Sequence, residues 1–244
     1  MSYPYFFVGL GSISENKIKI TGEDLNHLIN VLRCRVGDTV HVSDNASCRY
    51  RTEITDIKKS EVILAVKNRC RITRKVPRLI LYQCVLKKNS MEFVIQKSTE
   101  IGVDGIVPVI SARVITDNRK IAGKIDRWQK ISDRASEQSK RDFKCEIFPP
   151  ENICGIKISD HDLFFVPYEQ GSNDKESLAE IGSVSSVGYI IGPEGGFETD
   201  ELNSLKGRKA REIRFGRNIY RSETAAIYFL SILDYFTRNQ SMKK

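Results

Sequence analysis

The spacing of apolar and polar positions changes about one third of the way along the 244-residue chain. Before that point the pattern is short and alternating. Residues 3–8 and 16–20 read as strands, and residues 39–42, 50–57 and 61–66 alternate or run β-branched, with Gly37-Asp38 and Lys58-Lys59-Ser60 as turns. Between the strands at 16–20 and 39–42, Leu25, Leu28, Ile29 and Leu32 fall on one helical face. Together these elements predict a compact β-barrel-like module with one small helix, covering residues 1–75.

From residue 76 the pattern is β/α. Residues 79–86 and 105–110 read as buried strands, and Ser90 is placed to cap a helix running to Ile101. A long amphipathic helix is predicted over 121–139 and strands near 145–148, 163–166, 189–191 and 212–215. A last helix, starting at Ser222, carries an apolar stripe of Ala225, Phe229, Ile232 and Phe236. Alternation of this kind implies a largely parallel sheet covered by helices, with its ligand beyond the carboxyl ends of the strands. Trp128, on the amphipathic helix, is read as packing.

Composition narrows the class. A hydrophobic content of 40% supports a proper core, and no segment reaches membrane-spanning length. The N-terminus has neither a basic leader nor a long apolar run, so a cytosolic protein is expected. Cys34, Cys48, Cys70, Cys84, Cys145 and Cys154 form no Cys-x-x-Cys pair, and His27, His41 and His161 lack ligand spacing; neither metal nor disulfide is expected. Residues 1–75 hold 13 Lys and Arg against 8 Asp and Glu, +5 of the formal +8. Positive charge concentrated in one module points to a polyanionic partner, most commonly nucleic acid.

Two loops carry the candidate chemistry. Val187, Ile190 and Ile191 form a β-branched strand that Gly192-Pro193 ends, since proline lacks the amide donor of a sheet ladder. Gly195 and Gly196 then permit close backbone approach, and Thr199 reads as the N-cap of a helix with Asp200 and Glu201 in its first turn. No Gly-Lys-Ser or Gly-Lys-Thr follows, which excludes a phosphate-binding loop. Gly9 and Gly11 lack the third glycine and the βαβ setting of a dinucleotide fingerprint. A structural turn and a loop that reads a ligand such as adenosine through its backbone both remain open. The second loop, residues 215–226, ends a strand at Gly216 and leads through Arg217, Asn218, Ile219, Tyr220 and Arg221 into the last helix.

Ile191-Gly192-Pro193-Glu194-Gly195-Gly196-Phe197 followed by Arg221-Ser222-Glu223-Thr224-Ala225 resembles the signature of the ribosomal RNA small subunit methyltransferase E family, which belongs to the SPOUT, or trefoil-knotted, methyltransferases. The similarity continues through Asn26-His27-Leu28, Val31-Leu32-Arg33 and Gly37-Asp38, Met91-Glu92, Gln96-Lys97, Glu100 and Gly102-Val103. It extends to Arg127-Trp128 and to Ala135, Glu137-Gln138-Ser139 and Arg141. The resemblance implies an α/β fold: a PUA-like RNA-binding β-barrel domain at 1–75, then at 76–244 a SPOUT domain with a parallel sheet and a C-terminal knot.

The resemblance further implies a transferase of rRNA processing and ribosome biogenesis. As a cytoplasmic homodimer it would carry a methyl group from S-adenosyl-L-methionine to N3 of a uridine in 16S rRNA of the small subunit. Val166, Pro167 and Tyr168, Gly192, Pro193, Glu194, Gly195 and Gly196, and Phe215, Gly216, Ile219, Tyr220 and Thr224 would bind the cofactor. Arg221 and Arg217 are the catalytic candidates, because negative charge develops on uridine O2 and O4 as the N3 proton leaves. Glu194 and Glu223 are the nearby carboxylates for proton acceptance or loop orientation. Arg33, Arg35, Arg49, Arg51 and Arg141 would contact RNA phosphates, Arg33 and Arg35 foremost. Departures from the family pattern are Asn218 where arginine is usual, with Arg217 one residue earlier, Tyr5 in place of an N-terminal arginine, and Lys88-Asn89 in place of Gly-Asp. Two other readings stay open: action on a different RNA, and an RNA-binding assembly factor without catalysis.

Overall fold

The computed structural model describes residues 3–87, 89–114, 121–172 and 175–241; Lys88, one of the departures above, lies outside them. The chain divides into two compact units, Met1–Arg74 with Glu137–Lys144, and Lys75–Ser136 with Cys145–Lys244. No helix among the described residues is long and apolar enough to cross a membrane.

The first unit is a six-stranded sheet of β1 (Tyr5–Phe7), β2 (Ile13–Ser14), β3 (Lys17–Thr21), β4 (Thr39–Ser43), β5 (Cys48–Ile57) and β6 (Glu61–Arg71). The order is β1-β4-β5-β6-β3-β2, antiparallel except for β1 against β4. Its edges β1 and β2 do not pair among the described residues, so the module is a half-barrel. Period-2 alternation sends Phe6, Ile18, Ile20, Val40, Val42, Tyr50, Ile54 and Leu64 to one face, where Leu28 closes the core. Helix α1 (Gly22–Asn26) passes into a π turn over His27–Val31. That turn corrects the expected stripe: Leu28 is fully buried and Leu25 and Ile29 pack on the core, but Leu32 is 43% exposed. The wider i→i+5 turn, closed by the Leu32 amide donating to the His27 carbonyl at 2.9 Å, rotates Leu32 off the buried face. Glu137–Lys144 joins this unit through Asp142, whose carboxylate pairs with Arg49 at 3.0 Å and whose carbonyl accepts from the Ser43 hydroxyl at 2.7 Å.

The second unit holds a wholly parallel sheet of β7 (Arg78–Cys84), β8 (Gly105–Ile110), β9 (Glu146–Ile147), β10 (Glu151–Asn152), β11 (Leu163–Ser172), β12 (Ser186–Ile191) and β13 (Arg211–Ile213). The order is β10-β8-β7-β12-β11-β13, with β9 also on β8. Because both faces are covered, the central strands read as continuous apolar runs. One face packs Leu81, Phe165 and Tyr189 against α2 (Asn89–Ile101), α3 (Ile125–Gln138) and, after the short α4 (Lys175–Ala179) and α5 (Thr199–Gly207), the long α6 (Ser222–Ser241). The other packs Ile80, Tyr82, Phe164, Val166 and Ile190 against α5. Trp128 is buried in the first of these cores, as its helical spacing implied.

Two expected caps move. Ser90 lies inside α2, which starts at Asn89. Glu198, not Thr199, caps α5, in a reciprocal box with Glu201, whose carboxylate returns to the Glu198 amide at 2.9 Å.

Candidate active site

Beyond β12 and β13 the second unit opens into a cavity of about 980 Å³. Residues 191–197 and 214–223 make most of its wall, joined by Pro167, Tyr168 and Glu169 of β11, Arg113 beyond β8, Ser90 and Ala225. This is the carboxyl edge of a parallel sheet, where the strand ends leave backbone groups unpaired and turns diverge.

The glycine loop is built from main chain and pinned at several points. The Gly196 amide donates to the Pro193 carbonyl at 2.9 Å, closing a turn that holds Gly196 at φ +73°, a region where a side chain would be strained. The Gly192 carbonyl accepts from the Ser222 hydroxyl at 2.5 Å, and Ser222 in turn accepts from the buried Gln83 amide at 3.0 Å. The Arg113 guanidinium donates to the Gly195 carbonyl. The Glu194 carboxylate accepts from the Lys87 amide at 3.2 Å, so this acid holds the loop. Glu201, 8% exposed, also accepts from the Ala112 amide at 2.8 Å and so links the start of α5 to the turn after β8.

The loop from β13 is aromatic and cationic. The Phe215 and Tyr220 rings stack in parallel with centroids 5.7 Å apart, and both meet Tyr228 of α6. Between them Gly216 sits at φ +85°, and a Cβ there would come within 2.6 Å of the Tyr220 hydroxyl. Arg217 and Arg221 are exposed, and their guanidiniums have no hydrogen-bond or ion-pair partner among the described residues. One wall thus offers backbone groups, another stacked rings, and the rim two free guanidiniums. A planar heteroaromatic group can be held by stacking and main-chain hydrogen bonds while the cations act on developing negative charge.

Comparison with known proteins places the chain in a family. The RNA methyltransferase domain family covers residues 74–234, and the RNA methyltransferase PUA domain family covers residues 20–67. The ribosomal RNA small subunit methyltransferase E of Bacillus subtilis is 30% identical over 229 residues, 89% of this chain and 90% of that one. This chain belongs to the ribosomal RNA small subunit methyltransferase E family. Another relative in the family, from Rickettsia conorii, is 28% identical over 93% of both chains. A putative methyltransferase of Legionella pneumophila, solved in complex with its cofactor S-adenosylmethionine, is 27% identical with a TM-score of 0.84, covering 96% of this chain and 98% of that one. The Neisseria gonorrhoeae methyltransferase E, solved bound to S-adenosyl methionine, has the same TM-score of 0.84 at 22% identity over 96% and 98%, a likeness of fold.

Within this methyltransferase E chain the cavity gathers Pro167, Tyr168, Gly192, Pro193, Glu194, Gly195, Gly196, Phe215, Gly216, Ile219, Tyr220, Arg217 and Arg221. Val166 and Thr224 stand off it. Val166 is 1% exposed, turned by strand alternation into the core on the α5 side, and Thr224 faces solvent on the first turn of α6. Arg113, Ser90, Glu169 and Arg214 also line the cavity, and the sequence did not mark them as site residues. Arg113 follows the carboxyl end of β8, the position where the parallel-sheet rule places ligands, and that was its available signal. In the first unit Arg33, Arg35 and Arg51 are exposed. Arg49 is engaged by Asp142, and Arg141 donates to the Phe143 carbonyl at 3.1 Å. No cluster able to hold a metal occurs among the described residues.

Proposed function

We propose that the protein methylates N3 of a uridine in 16S rRNA of the small ribosomal subunit, using S-adenosylmethionine and acting as a homodimer with a knotted C-terminal domain. The observation that carries this reading is the convergence of a main-chain loop, a stacked aromatic pair and two unpaired guanidiniums on one cavity in an RNA methyltransferase chain. The residues fit the cofactor. Gly192, Gly195 and Gly196 present backbone groups to an adenosine, Phe215, Ile219 and Tyr220 supply apolar wall, and no cationic phosphate cradle is needed. When bound, the cofactor supplies an electrophilic methyl group.

The chain's own part is to position uridine and favour loss of its imide proton. Arg221 and Arg217, free of internal carboxylates, can face O2 and O4, where charge grows as N3 ionises. Glu223 lines the cavity and is the better proton acceptor, since Glu194 already holds the Lys87 amide. Phe93 of α2 and Tyr228 and Tyr235 of α6 are exposed aromatic side chains of the kind a second copy would cover. Small subunits lacking the modification, incubated with tritiated cofactor, should incorporate label into 16S rRNA. No transfer at any assembly stage would sink the reading.

A further inference from the structure

Residues 31–36 of the first unit present an apolar surface that the core leaves unused. Val31 is 62% exposed, Leu32 43% and Val36 61%, while Leu25, Leu28, Ile29 and Cys34 of the same stretch face inward. The π turn over His27–Val31 is where the chain passes from inward Leu28 and Ile29 to outward Val31 and Leu32. Isolated π turns of this kind are frequent at functional sites, and Arg33 adds a second costly feature, a non-glycine residue at φ +56°.

The segment is nonetheless firmly built. The Cys34 amide donates to the Leu28 carbonyl at 3.1 Å, Asp38 to Arg35 at 3.0 Å, and Gly37 to Ile54 at 2.8 Å. The Asp38 carboxylate accepts from the Arg35 backbone amide at 2.7 Å. Arg33 and Arg35 are exposed with no ion pair among the described residues. A strained, well-tethered turn therefore projects three aliphatic side chains and two uncompensated cations from the more basic part of the chain.

We propose that residues 31–36 are an RNA-docking knuckle: Val31, Leu32 and Val36 pack against unstacked bases of rRNA, while Arg33 and Arg35 hold the adjoining phosphates. The inference rests on the rRNA reading above and adds to it an apolar contact with single-stranded RNA. Single-stranded RNA combines the two features this turn complements, flat apolar faces that can be splayed out and a continuous run of negative charge.

The test uses the full chain, a 16S rRNA transcript and assembled small subunits. Replacing Val31, Leu32 and Val36 with serine should weaken transcript binding on the order of tenfold or more and leave its salt dependence unchanged. Arg33→Gln with Arg35→Gln should instead flatten the slope of log affinity against log salt by about 0.7 per lost contact. Circular dichroism and chemical denaturation check that the first unit of each variant is folded, and calorimetry with S-adenosylmethionine does the same for the second. A serine variant that binds transcript within about twofold of the parent overturns the inference, as does one that loses only assembled subunits, which would assign the knuckle to a ribosomal protein. A parent protein that binds neither RNA defeats the rRNA reading itself, and the knuckle with it.

Discussion

The two loops that wall the cavity differ in what has been done with their polar groups. In residues 192–197, Gly192, Gly195, Gly196 and Glu194 are each committed to a hydrogen bond inside the fold. In residues 214–221 the rings of Phe215 and Tyr220 are stacked, but the guanidiniums of Arg217 and Arg221 are left without partners among the described residues. A binding wall gains from rigidity fixed in advance, because ordering costs are met during folding. A charge-stabilising group must keep its donors free for the reacting atoms. Under the proposed function, the tethered main chain of the first loop and the stacked rings of the second hold the cofactor, while the free guanidiniums of the second loop carry the catalysis.

The sharpest way to break that division is Arg221→Ala. Transfer should fall about 10²–10³-fold, the loss typical of one charge-stabilising donor. Cofactor affinity by calorimetry should stay within about threefold; a parallel loss of affinity would merge the two roles. Gly216→Ala should act on binding, since its Cβ would meet the Tyr220 hydroxyl at 2.6 Å on a backbone at φ +85°. Disrupting the Phe215–Tyr220 stack should weaken cofactor affinity about tenfold or more, measured by the same titration.

Smaller effects test the tethers. Ser222→Ala removes the donor to Gly192 and leaves the buried Gln83 amide with only one of its two acceptors, the Cys84 carbonyl. Stability should drop about 1–3 kcal/mol by chemical denaturation; an unchanged midpoint would mean that the loop is held elsewhere. Arg113→Ala frees the Gly195 carbonyl and should raise the cofactor KM a few-fold, leaving kcat nearly intact.

The smallest effect is one of pH. Burial pushes the His161 imidazole below its ordinary range, with Arg78 acting in the same direction and Asp160 and Asp162 against it. The unfolded chain therefore binds the proton more readily. The resulting stability is fully present above the unfolded value of about 6.5 and is lost as pH falls toward the lower folded value. His161→Gln should shrink the stability difference between about pH 7.5 and pH 5.5, by roughly 1 kcal/mol or less. An identical difference in both proteins would show that His161 does not carry it.

The sequence showed most clearly those parts of the site that depend on residue type. Glycines at 195 and 196 and arginines at 217 and 221 announce backbone approach and charge wherever the chain places them. The parallel sheet was legible too, because a strand buried on both faces must be apolar throughout. What stayed hidden depends on distant partners. Arg113 reaches Gly195 across 82 positions, and Glu201 is recruited by the Ala112 amide 89 positions away. Leu32 fits the helical stripe by spacing and leaves it because the turn widens from α to π. Asp142 joins the first unit through Arg49 and Ser43, contacts that no local periodicity encodes.

The central claim is most directly tested by mass analysis of the nucleosides from small-subunit rRNA after one round of transfer from labelled S-adenosylmethionine. The account predicts label in N3-methyluridine at a single site, lowered about 10²–10³-fold by Arg221→Ala. Label in any other nucleoside, or none with the parent protein, would contradict it.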